Sequence, residues 1–125
     1  MERSIRRLPD AELCVMQAVW SCRSPAARAQ IEQTVVRDRP MAQTTILTLL
    51  TRLEKKGFLR IEKQGRGSVY TPLISEEEYC AAQSRSFLDS VFKGSVGAFA
   101  NALCDRAMTR EEIAELRRAL EEKGR

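Results

Sequence analysis

Thr44, Thr48, Thr51, Arg52 and Lys55 stand at i, i+4, i+7, i+8 and i+11, so a helix carrying them would line one face with small hydroxyls and two cations. Threonine is short enough to let a helix approach base edges and phosphates closely, and it offers both a hydroxyl and a methyl. Leu47 on the flank suits thymine methyls, Thr45 completes the candidate DNA-binding set on this helix, and Arg52 and Lys55 suit phosphate oxygens. A plain solvated face is the alternative, but such faces favour Glu, Lys and Gln, which are better helix formers than threonine. A second cationic set follows, with Lys63 and Arg66 around Gly65 and Gly67. A flexible basic tip of this kind reaches a minor groove or a phosphate backbone, although the glycines could also serve turn geometry alone.

The rest of the chain offers little other chemistry. It has no histidine, no GxxxxGK[ST] and no GxSxG, so neither an enzyme nor a small-molecule substrate is expected, and no residue is assigned a catalytic role. Cys14, Cys22, Cys80 and Cys104 lie far apart with no CxxC or CxC pair, so neither a metal site nor a cofactor is expected. They read as small buried hydrophobes or stray thiols, with a redox switch as the alternative. Charge is uneven. Residues 1–74 carry 13 basic and 7 acidic side chains, a net +6, whereas residues 75–125 carry 8 and 10, a net −2. A basic first part suits an anionic partner such as duplex DNA. No apolar run approaches the roughly 20 residues of a membrane span, and the charged stretch Met1–Arg7 lacks the core of a secretion signal, so a cytoplasmic location is expected.

These side chains need elements to hold them. Leu8-Pro9-Asp10 with Glu12 and Leu13 opens a helix that runs to about Cys22, with Leu13, Val15, Met16, Val19 and Trp20 facing a core. Ser24-Pro25 predicts the start of a second helix bearing Ala27, Ile31 and Val35, broken at Pro40. A third runs from about Ala42 to Lys56, buries Ile46, Leu49, Leu50 and Leu53, and stops at Gly57. Residues 58–63 and 68–71 are β-prone and predict a hairpin. Three helices followed by a hairpin is the order of a winged helix-turn-helix, whose third helix enters the major groove. The expected fold class is therefore mostly α with a small β-hairpin wing, with residues 1–74 as the DNA-binding domain.

Residues 75–125 read as a helical dimerisation segment. Ser75 with Glu78 and Thr109 with Glu112 form capping boxes, and Ser95 caps a brief helix between them. Phe87, Leu88, Val91, Phe99, Leu103, Ile113, Leu116 and Leu120 supply apolar stripes too few to close a core alone, so a second copy of the chain is the expected partner.

The chain resembles the penicillinase repressors (BlaI/MecI) nearly end to end. The resemblance is carried by Leu8-Pro9-Asp10-Ala11-Glu12-Leu13 with Trp20, by the run from Thr45 to Gly57, by Tyr70-Thr71-Pro72-Leu73, and by Ser84-Arg85-Ser86-Phe87. It implies a dimeric repressor holding palindromic operator DNA, in an inducible circuit. In the β-lactam branch a membrane sensor-protease detects the antibiotic and the repressor is cut in its dimerisation segment. The resemblance places Asn101 at the asparagine of that Asn-Phe cleavage site, with Ala102 in place of the phenylalanine. Copper-responsive members carry CxC thiolates, which this chain lacks. Release of a non-β-lactam regulon by a thiol or other signal, without cleavage, is the alternative. Pro9 stands where a Ser or Thr cap is common, Met41-Ala42 offers the third helix no capping side chain, and Leu47 replaces a side chain charged in some members.

Overall fold

The computed structural model describes residues 5–124; the first four residues of the charged Met1–Arg7 stretch and Arg125 lie outside them. Two compact units divide the chain, Met1–Gln83 and Ser84–Arg125.

In the first unit, α1 (Asp10–Ser21), α2 (Arg28–Asp38) and α3 (Gln43–Lys55) precede the hairpin β2 (Leu59–Gln64) and β3 (Gly67–Pro72). A two-residue strand, β1 (Ala26–Ala27), completes an antiparallel sheet in the order β1-β3-β2. This β1 corrects the expected helix start at Ser24-Pro25. Ala26 and Ala27 pair instead with Tyr70 and Val69, and α2 begins only at Arg28, with the Ala27 N–H donating to Gln30 Oε1 at 3.1 Å. A free edge on β3 competes with the first helical turn for those backbone groups, a tertiary demand that local cap-and-proline signals do not encode.

The hairpin register runs from Leu59 opposite Pro72 to Gln64 opposite Gly67, leaving Gly65 and Arg66 as the loop. Gly65 takes φ +64°, the positive value that a tight primed turn needs at its first position. Gly57 takes φ +83° and ends α3 in a Schellman motif, with Phe58 N–H donating to the Leu53 carbonyl and Gly57 N–H to that of Glu54.

The core collects Leu8, Val15, Met16 and Val19 with Ile31 and Val35, Ile46, Leu50 and Leu53, and Leu59 and Tyr70 of the sheet. At roughly 1.5–3 kcal/mol for each large side chain, this burial holds α3 in place from behind. Glu12 is buried within it and accepts from Lys56 Nζ just beyond α3, so an ion pair fastens the end of α3 to α1.

The compact unit does not close at residue 74. Helix α4 (Glu76–Phe92) opens with the expected box, Ser75 Oγ accepting from Glu78 N–H and Glu78 Oε1 from Ser75 N–H. Its Tyr79 then enters the core, takes a hydrogen bond from Leu8 N–H at 2.9 Å, and packs against Trp20 and Phe58 with ring centroids 5.6 and 5.8 Å away. Trp20 is only partly buried, and its indole N–H donates to the Ile74 carbonyl at 2.9 Å. The aromatic trio needs Tyr79, so the first turns of α4 belong to the winged helix.

The second unit holds the rest of α4, then α5 (Val96–Ala102), a π-helical turn Leu103–Ala107 and α6 (Arg110–Lys123). Ser95 caps α5 and Thr109 with Glu112 boxes α6, as the sequence predicts. None of its described residues is buried. A short chain segment with apolar side chains and no interior of its own gains stability only by covering them.

Candidate nucleic-acid interface

The core residues of α3 fix which side faces outward. With Ile46, Leu49, Leu50 and Leu53 inward, Thr44, Thr45, Thr48, Thr51, Arg52 and Lys55 are all exposed and Leu47 is half-buried on the flank. The structure thus brings together on one helix face the residues singled out by spacing, and Thr44, Thr45, Thr48 and Arg52 border a shallow depression of about 220 Å³ with Leu49.

The threonine hydroxyls have a defined polarity. Thr48 Oγ1 donates to the Thr44 carbonyl at 2.9 Å and Thr51 Oγ1 to the Leu47 carbonyl at 3.0 Å. Their hydrogens are therefore used within the helix, and what they turn outward are lone pairs and methyl groups. Acceptors and methyls match base amino groups and thymine methyls better than they match phosphate. Arg52 and Lys55 supply the complementary cations, and among the described residues no carboxylate pairs with either of them, nor with Lys63 or Arg66 at the wing. Such cations, two on α3 and two at the wing, are disposed to hold a polyanion.

Helix and wing are tied. Glu54 Oε2 accepts from the Ile61 backbone N–H at 3.2 Å, joining the outer edge of α3 to β2. Burial pushes the phenol of Tyr70, on β3, above its ordinary value. Spacing alone missed three residues: Glu54, Gln43 at the first position of α3, and Glu32 on α2, whose Oε1 accepts from Gln43 Nε2 at 3.3 Å. Only Gln43 left a trace in the sequence, since it directly precedes the threonine series; Glu32 and Glu54 look like any surface acid.

The model of one family, the penicillinase repressors, matches residues 8–122. The chain belongs to the penicillinase repressor family. It is 37% identical to the penicillinase repressor of Bacillus licheniformis over 96% of this chain and 94% of that one. It is 30% identical to the methicillin resistance regulatory protein MecI of Staphylococcus aureus (strain N315) over 98% of this chain and all of that one. The solution structure of the DNA-binding domain of the repressor BlaI superposes with a TM-score of 0.53 at 37% identity, covering 63% of this chain and 94% of that one. The Bacillus licheniformis BlaI monomer, solved in complex with the blaP half-operator, gives 0.50 at 39% identity, covering 60% and 90%. Both matches to solved structures support the winged helix for the first unit.

The candidate dimerisation residues are exposed or half-buried. Phe87 is 50% exposed, Val91 55% and Leu120 63%, while Leu88, Phe99, Leu103, Ile113 and Leu116 are half-buried. Phe87 and Phe99 meet with centroids 6.2 Å apart, and both meet Phe92, which the sequence reading left out, at 5.8 and 5.2 Å. Asn101 and Ala102 are exposed at the end of α5, directly before the π-helical turn.

Proposed function

We propose that this DNA-binding repressor holds a palindromic duplex operator as a homodimer, with α3 in the major groove and the Lys63–Arg66 wing on the neighbouring backbone. The observation that carries the reading is the outward face of α3, whose threonines present acceptors and methyls beside Arg52 and Lys55, cations without a carboxylate partner among the described residues. A relative bound as a monomer to half an operator supports two copies on a whole one. The second unit, which exposes apolar side chains such as Phe87, Val91 and Leu120 and has no buried residue among those described, supports residues 75–125 as the dimerisation segment, with the early turns of α4 shared with the winged helix. The cytoplasm is the compartment where such a protein meets DNA, and no helix among the described residues is long and apolar enough to cross a membrane.

Release follows from the same construction. A membrane sensor-protease that leads to cutting between Asn101 and Ala102 would separate α6, with Ile113, Leu116 and Leu120, from the rest of the dimerisation segment. The seven residues of α5 and the π-helical turn after it form a short stretch without a buried residue, which a protease draws out at low cost. Two measurements test the reading. Titration of the full chain with palindromic duplex should show saturable binding by two copies, and no affinity beyond that for unrelated duplex would overturn it. Following the protein's mass in β-lactam-treated source cells should reveal a fragment starting at Ala102; intact protein with unchanged derepression would transfer release to another signal, such as oxidation of exposed Cys80 or Cys104.

A further inference from the structure

Gln43 is the first residue of α3 and is exposed, at the N-terminal end where recognition helices bring side chains to base edges. Its amide is not free to turn. Glu32 on α2 offers only acceptor oxygens, so the –NH2 group of Gln43, and not its carbonyl oxygen, must face Glu32 across the 3.3 Å contact. Glu32 is itself held. Its side chain is 14% exposed, Arg28 one turn earlier on α2 lies 3.4 Å from its Oε2, and that oxygen is shielded from water without a hydrogen bond. An acid so confined is an anchor and not a mobile surface charge.

With one amide hydrogen on Glu32, Gln43 retains a carbonyl oxygen and a second N–H. That pair is complementary to the N6 amino group and N7 of adenine, whereas guanine shows two acceptors in the major groove. Resting on the DNA-binding reading above, we propose that Gln43 reads an adenine in each half-site beside Thr44 and Thr48, and that Glu32 is the positioning residue that fixes the direction of its amide. The side chains that the threonine spacing selects thus form only part of the reading surface.

The experiment selects a preferred duplex from a random library with the full-length protein, then measures affinity for every single-base-pair replacement in it. For the unaltered protein, one position in each half-site should prefer A·T over G·C by about ten-fold. Gln43→Ala should bring that ratio close to one and leave the ratios at other positions in place. Glu32→Gln should shrink the same ratio about three-fold, and should change nothing further when combined with Gln43→Ala, because it acts only through that amide. Unchanged ratios at every position in Gln43→Ala, with selected DNA still bound, would overturn this proposal alone, as would an equal loss on all sequences, which marks a phosphate contact. An equal loss on all sequences in Glu32→Gln would overturn the positioning role. If the library yields no preferred duplex, both this proposal and the DNA-binding reading fall.

Discussion

Single side chains divide the interface between holding and reading. Arg52 is exposed and has no carboxylate partner among the described residues, so its charge is available to phosphate. Arg52→Ala should weaken binding to operator and to random duplex by similar factors and lower the salt slope of log K by about one, read from isotherms across a salt series. A loss confined to operator DNA would make Arg52 a base reader. The cysteines separate by environment in the same way. Burial pushes the Cys14 thiol above its usual value, with Asp38 adding to the effect, whereas Cys80 and Cys104 are exposed. A raised value leaves less thiolate near pH 8, so alkylation followed by mass spectrometry should modify Cys80 and Cys104 well before Cys14. The four cysteines are thus not equivalent, a distinction their scattered spacing could not supply.

At the scale of elements, each helix is fixed by contacts that differ in how far they reach along the chain. The Leu8 N–H to Tyr79 hydroxyl bond joins residues 71 positions apart in a buried setting. Tyr79→Phe keeps the ring against Trp20 and Phe58 but strands that N–H, and thermal or denaturant melting should show a loss of about 1–2 kcal/mol. This dependence on distance also explains what the sequence disclosed. Helices α1 and α3, the hairpin, the Gly57 stop and the boxes at Ser75 and Thr109 were legible, because apolar period, glycine and capping chemistry act within a few residues. The outward face of α3 followed from the same period. Strand β1 was not legible, since Ala26 and Ala27 form a strand only because β3, some 40 positions later, offers its edge. Nor was Tyr79 as a core residue, or the hold of Glu32 on Gln43, because each needs two segments already brought together.

For the whole molecule, the proposed function divides the chain into a winged helix that folds on its own and a helical segment that pairs with a second copy. A chain ending after Leu73 would lose Ile74 and Tyr79 from the core and should be destabilised by on the order of 3 kcal/mol. A chain ending after Gln83 retains both and should melt as a folded, monomeric domain, which melting curves and sedimentation together check. On DNA that shorter chain should bind a full palindrome 10²-fold or more below the intact protein, because the two half-sites are no longer engaged as one linked unit. The most direct test of the account is the stoichiometry of the intact protein on its selected duplex, measured by sedimentation equilibrium through a titration. The account predicts that two chains load together on one full palindrome, with no singly occupied species accumulating. A complex that saturates at one chain per palindrome, or no complex at all, would contradict it.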